Sequence, residues 1–372
     1  MKSILIICPN YDDNSVSSFR ISSFESKLRS QGYQVSILTL SDYTKLDDST
    51  KISYINRNFF KNSASLFHRL FMPKDFRGFL NKFESIVISM PTFELVSIVK
   101  YIESDKKVVL DYRDQLNLTY VFRKNRYKNP IAKLAIYLDF KYTELVHKRI
   151  LYRNNIDKVI CVGNSALDYY KSSISKKKEF DLVNIHNGFF LSDYKSIPQI
   201  SSLVDFSKKD ITFGISGSIY DFRFTDQLER ELKKLDTRTN NKSITIKHWG
   251  ASESKFRKLM ESMSSIKYEP QGRELRDKYL QKIITCDVLI LITSDELNWE
   301  PTTTVFDYIL MSKPVMFFGD SSNEASKILN DCGVDLITVD NILSENRLEV
   351  TPIDFERLKK YNRESILDNL VI

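Results

Sequence analysis

The sequence predicts a mixed α/β protein of two Rossmann-like, doubly wound domains facing a central cleft. Three observations predict it. Apolar runs of strand length alternate with helical patterns through the first half of the chain, and the alternation begins again in the second. The chain has 372 residues, more than one hydrophobic core usually organises. Between the halves, residues 191–209 are polar, contain Pro198 and show no clear periodicity, as a linker does.

Taken in order, the first half predicts strands at 3–8, 34–40, 85–89, 107–111, 158–162 and 182–186, with helices at 17–30, 93–103, 130–153 and 165–172. The second predicts strands at 210–216, 243–249, 266–269, 287–292, 314–318 and 336–339, with helices at 226–235, 253–262, 274–286, 303–311 and 322–332. The domains so drawn are 1–190 and 210–353, joined by the linker 191–209. Residues 354–372 form a helical segment expected to return to the first domain.

Composition sets the outer limits. Hydrophobic residues make up 42% and charged residues 28%, which is globular and not disordered. Cys8, Cys161, Cys286 and Cys332 are scattered, without a CxxC spacing, so neither a zinc ribbon nor a disulfide framework is expected, and a reducing cytoplasm fits. The first apolar run, at 3–8, is too short for a signal peptide, and no run approaches the ~20 apolar residues that span a bilayer. Membrane contact, where it occurs, is therefore expected to be peripheral.

Charge is uneven. Residues 1–200 carry 31 Lys+Arg against 20 Asp+Glu, and residues 201–372 carry 24 against 28. Basic residues alternate with aromatics at 58–82, around Phe59, Phe60, Phe67, Phe71 and Phe76, and at 120–128. Such a surface suits an anionic membrane interface or ordinary solvation with snorkelling side chains. Nucleic acid is disfavoured, because the basic residues are dispersed and no binding signature accompanies them.

The most informative stretch runs from Glu300-Pro301-Thr302-Thr303-Thr304 through Val305–Met311 to Lys313-Pro314-Val315. It reads as a polar loop opening a short amphipathic helix, followed at once by a buried strand. Three threonines at a helix start gather hydroxyls and unpaired N–H groups at the positive end of the helix dipole, a place to hold a diphosphate. In the alternative reading Thr302 or Thr303 only caps the helix. Gly214 and Gly217 lack the third glycine of GxGxxG, and no acidic residue ends the next strand, which disfavours a nicotinamide dinucleotide.

These pieces, in this order, resemble the GT-B glycosyltransferases, close to glycosyltransferase family 4 and its bacterial surface-polysaccharide branch. Gln31-Gly32-Tyr33-Gln34-Val35 is similar to the family's "L…GheVtvlT" and Asp111-Tyr112-Arg113-Asp114 to its "DxRD". Asn187-Gly188-Phe189 is similar to "NGfd", and residues 303–315 to "tKlfEYlaagkPV". Two departures stand out. The family's paired glutamates, eight positions apart, are matched by Glu300 and Asp307, seven apart, or by Glu296 in the first place. The lysine often found just before the apolar-apolar-Glu triplet is Thr304.

The resemblance implies a metal-independent, retaining transfer of sugar from a nucleotide-sugar such as a UDP- or GDP-sugar, with no other cofactor, to a glycan or lipid-diphosphate-linked glycan acceptor. Arg223, Ser218 and the N–H groups around Thr302, Thr303 and Thr304 would hold the diphosphate, Glu300 the donor hydroxyls, and Tyr268 and Pro270 the base. Asp307 serves the donor or is structural. Asp111, Arg113 and Asp114 sit on the acceptor side, one carboxylate bonding the acceptor or orienting Arg113, unless Asp111 and Arg113 are an internal pair closing a strand. His186 faces the cleft or is buried. Asp12-Asp13 has no third ligand within reach in sequence, so no metal is expected. Two other readings stay open: a sugar-nucleotide epimerase of the same shape, revealed by release of free sugar and nucleotide without an acceptor, and a non-catalytic binding protein, revealed by indifference to every nucleotide.

Overall fold

The computed structural model describes residues 2–9, 11, 16–39, 53–56, 68–71, 76–90, 92–153, 156–174, 180–190, 203–239, 242–293, 301–351 and 355–370. They divide into two compact units: Met1–His186 with Leu367–Ile372, and Asn187–Ile366.

The first unit is built on strands β1 (Ser3–Cys8), β2 (Gln34–Thr39), β5 (Ser85–Met90), β6 (Lys107–Tyr112), β7 (Lys158–Cys161) and β8 (Asp181–Asn184), all parallel, in the order β2-β1-β5-β6-β7-β8. A parallel sheet is covered on both faces, so its strands read as unbroken apolar runs. Every residue of Ser-Ile-Val-Ile-Ser-Met in β5 is buried. The order reverses between β1 and β5, which places the topological switch point at the carboxyl ends of those strands. A separate antiparallel pair, β3 (Ser53–Asn56) and β4 (His68–Phe71), was not expected from the sequence.

In the first unit, helices differ from expectation at three places. Residues 93–101 wind as a 3₁₀ helix, with Leu95, Val96, Ile98 and Val99 buried. The basic-aromatic run at 120–128, read as a surface, lies mostly within the helix Leu116–Arg126. Its Tyr120 ring stacks on Phe140 of the long helix Pro130–Arg153, centroids 4.8 Å apart. Phe76, also assigned to that surface, opens the helix Phe76–Leu80 and is buried beside Phe79. Phe59, Phe60 and Phe67 lie outside the described residues.

The second unit repeats the plan with β10 (Asp210–Ser216), β11 (Ser243–Trp249), β12 (Ile266–Pro270), β13 (Val288–Ile292), β14 (Val315–Phe318) and β15 (Leu336–Ile337), parallel, in the order β12-β11-β10-β13-β14-β15. This is the dinucleotide-fold strand order, and its switch point falls between β10 and β13. One face is closed by Phe213, Ile215, Ile246 and Phe256, the other by Leu280, Ile283, Phe306 and Ile309. The end of the stretch read as linker carries β9 (Leu203–Asp205), paired antiparallel with β16 (Arg347–Glu349).

Candidate functional site

At the switch point of the second unit, β10 ends at Ser216 and is followed by Gly217-Ser218. Gly217 turns with φ +91°, a conformation glycine adopts without strain, and its N–H donates to Trp249 O at 2.9 Å. A Cβ placed on Gly250 would fall 2.2 Å from Gly217 O, so the loops after β10 and β11 meet backbone to backbone. Gly214 has a packing role: a Cβ there would lie 2.7 Å from Ile283 Cγ1, so its absence lets the helix Arg276–Ile283 close onto the sheet.

His248, fully buried, holds this turn from below. Its Nε2 lies 2.8 Å from Gly217 O and its Nδ1 2.8 Å from the Tyr268 hydroxyl. A carbonyl only accepts, so Nε2 carries the proton and Nδ1 accepts from Tyr268. Burial lowers the His248 pKa, which keeps the ring neutral in this role. Tyr268, expected at the base, thus has its hydroxyl engaged by His248 and, at 3.4 Å, by Ser252 Oγ. Pro270 is exposed at the end of β12, the edge strand.

The helix Thr303–Met311 begins against the same turn. A Cβ on Gly217 would lie 3.4 Å from Thr304 Oγ1. Thr302 occupies the N-cap position with an extended backbone, yet its side chain makes no capping hydrogen bond; it, Thr303 and Thr304 are half-buried. The helix stops at Ser312, which is left-handed at φ +49°, ahead of Pro314. Within it, the buried Tyr308 hydroxyl accepts from Ser216 N at 2.9 Å and donates to Ile290 O at 3.0 Å. It bolts β10 to β13 at the switch point itself. Asp307 is buried, pairs with Arg276 Nη2 at 2.6 Å and accepts from the Tyr279 hydroxyl at 3.3 Å.

Arg223 lies in the single 3₁₀ turn Asp221–Arg223 beyond Ser218. Its Nη1 donates to Ser218 O at 3.4 Å and its guanidinium sits 5.7 Å from the Tyr220 ring centre. Burial lowers its pKa. Among the described residues no carboxylate pairs with it. Glu300 and Glu296 lie outside the described residues.

In the first unit, Asp111 is fully buried and pairs with Arg20, not Arg113. Arg20 Nη2 donates to Oδ1 at 2.7 Å, its Nε reaches both carboxylate oxygens at 3.1 and 3.2 Å, and Ser89 Oγ donates to Oδ2 at 2.7 Å. Arg20 Nη1 also holds Ile185 O at 3.0 Å. The alternative of an internal Asp111–Arg113 pair is thereby excluded: Arg20 reaches Asp111 from the helix Val16–Ser30, while Arg113 turns its Nε to Met90 O at 2.8 Å. Arg113 and Asp114 are half-buried. Burial lowers the Arg113 pKa, against the opposing pull of Asp111 and Asp114, and burial raises the Asp114 pKa, against Arg113. His186 is half-buried beside Asn184 Nδ2 at 3.2 Å. Asp12 and Asp13 lie outside the described residues.

Solved structures share the fold over nearly their full length. Sucrose-phosphate synthase from Thermosynechococcus elongatus is 12% identical with a TM-score of 0.56, covering 100% of this chain and 97% of that one. TarM is 11% identical with a TM-score of 0.62, covering 100% and 98%. The fold is GT-B. An alpha-glucosyltransferase solved with UDP-glucose and DNA containing an abasic site is similar in the same way, 12% identical at a TM-score of 0.54 over 98% and 93%. No family model matches the chain, and no curated protein does.

Sequence reasoning overlooked Arg20, His248, Arg276 and Tyr308. For Tyr308 a signal existed: a tyrosine within the apolar run Val305–Met311 has a hydroxyl that must find a partner once buried. For Arg20 and Arg276 none did, since their partners stand 91 and 31 residues away.

Proposed function

We propose that the chain is a glycosyltransferase that takes a sugar from a nucleoside-diphosphate donor, such as a UDP- or GDP-sugar, and passes it to an acceptor hydroxyl. The observation that carries the reading is the half-buried guanidinium of Arg223, which no described carboxylate neutralises, beside the turn where Gly217 meets Thr304. Breaking the glycosidic C–O bond leaves a diphosphate whose growing charge must be met by fixed positive groups. Arg223 and the free N–H groups at Thr302–Thr304 supply them without a metal. Ser218 closes the turn over the diphosphate.

Arg113 and Asp114 of the first unit are assigned to the acceptor. The raised pKa of Asp114 suits a group that exchanges a proton with a sugar hydroxyl. The transfer is metal-independent and retains the anomeric configuration, and the acceptor is a lipid-linked glycan of a bacterial surface polysaccharide. It is met at the cytoplasmic face of the membrane, through peripheral contact of the basic N-terminal half.

Thermal-shift titration with UDP, GDP and their sugars tests the donor site. A nucleotide at a hundredfold its Kd adds ~2.7 kcal/mol to the stability of the state that binds it. Indifference to every nucleotide would overturn the proposal.

A further inference from the structure

Eleven large hydrophobic side chains are exposed among the described residues, and seven of them lie on one helix, Pro130–Arg153. This is no scatter of single surface residues. Ile136, Asp139, Thr143, His147 and Ile150 turn inward and are buried. The opposite face carries Ile131, Leu134, Leu138, Tyr142, Leu145 and Tyr152, which are 49% to 76% exposed. An ordinary surface helix is polar on its outer side, whereas this one presents an apolar ridge along 24 residues, about 36 Å.

Charge decides what covers the ridge. Residues 120–153 hold nine Lys+Arg against two Asp+Glu, a net +7 that equals the charge of the whole chain. Ile131, Leu138, Leu145 and Tyr152 recur every seven residues, which on its own would suit a second copy of the helix. The neighbouring seam positions, however, run Leu134, Lys141, Lys148, and two lysines per helix would have to be buried against the like-charged face of the other copy. An anionic lipid surface accepts both features. The ridge sinks to the boundary of headgroups and acyl chains, Lys141 and Arg149 extend toward phosphates, and the ring hydroxyls of Tyr137, Tyr142 and Tyr152 stay at the wet edge.

We propose that the outer face of the helix Pro130–Arg153 is a docking surface for anionic membrane lipid. It deepens the membrane contact proposed above and places it on a helix other than the Phe-rich 58–82 stretch. It does not rest on the transfer reaction: vesicle binding by a chain that ignores nucleotides would uphold it alone.

The test is co-sedimentation of the full chain with vesicles of phosphatidylglycerol and of phosphatidylcholine, at low and high salt, beside the variant Leu138→Glu/Leu145→Glu. Both side chains are exposed, so the variant should keep the parent's melting temperature. The expected result is binding to the anionic vesicles alone, weakened by salt, with the partition coefficient at least tenfold lower in the variant. Equal binding by parent and variant would overturn the proposal. So would a parent that stays in the supernatant and sediments as a dimer which the variant dissolves, since a second copy would then be what covers the ridge.

Discussion

Arg20→Met is the sharpest test of the first unit. The substitution keeps a long apolar stem and removes the guanidinium that donates three hydrogen bonds of 2.7–3.2 Å to Asp111, a carboxylate with no solvent exposure. Ser89 Oγ alone remains on the carboxylate, and Ile185 O loses its donor. Breaking one side of a buried pair leaves an uncompensated charge and costs about 3–5 kcal/mol. For a unit of this size each kcal/mol moves the melting point by about 2–4 °C, so a fall on the order of 10 °C is expected in the transition of the first unit. Differential scanning calorimetry of Arg20→Met, Asp111→Asn and the double variant closes the cycle, and the double variant should recover at least about 1–2 kcal/mol relative to additivity. Arg113→Met, by contrast, should cost about 1 kcal/mol, because it gives up its bond to Met90 O and no paired charge. If Arg113→Met destabilised more than Arg20→Met, Asp111 would be paired with Arg113 as in the alternative sequence reading, and the account of this cluster would fail.

Arg223→Ala should lower transfer on the order of 10²–10³-fold with an unchanged melting point, since it removes a preorganised charge from the leaving diphosphate; turnover near the parent's would show that the diphosphate is held elsewhere. Tyr308→Phe should weaken nucleotide binding in a calorimetric titration more than it lowers turnover at saturating donor, because its hydroxyl spaces β10 from β13 and touches no reacting atom; an unchanged Kd would remove it from the site. His147 is buried neutral between Tyr112 and Phe93 O, and burial holds its pKa down at about 4 from 6.5. Because the unfolded chain takes up the proton first, the stability this group contributes is intact above pH ~6.5 and falls by up to about 3 kcal/mol as pH drops to 4. Urea titrations across that range should show the slope, and His147→Gln should flatten it. Transfer should survive EDTA; full dependence on added Mg²⁺ or Mn²⁺ would direct attention to Asp12 and Asp13.

The sequence by itself determined the architecture. Unbroken apolar runs such as 4–8 and 288–292, too short for helices and alternating with helical patterns, read as strands buried on both faces, and crossovers of helical length between them favour parallel pairing. It also located the turn after β10 and the threonine-led helix, since glycine, consecutive threonines and a following Lys-Pro impose their local geometry without help from the rest of the chain. What it left open were the partnerships. Asp111 stands two residues from Arg113 and 91 from Arg20, yet Arg113, just past the end of β6, turns to Met90 O, and the helix Val16–Ser30 delivers Arg20 to the buried carboxylate. Asp307 read as either a donor ligand or a structural residue, and the fold occupied it with Arg276 and Tyr279. The long helix at 130–153 was legible as a helix, but its apolar residues run all round. Only packing against the sheet decided which of them became core and which formed the exposed ridge.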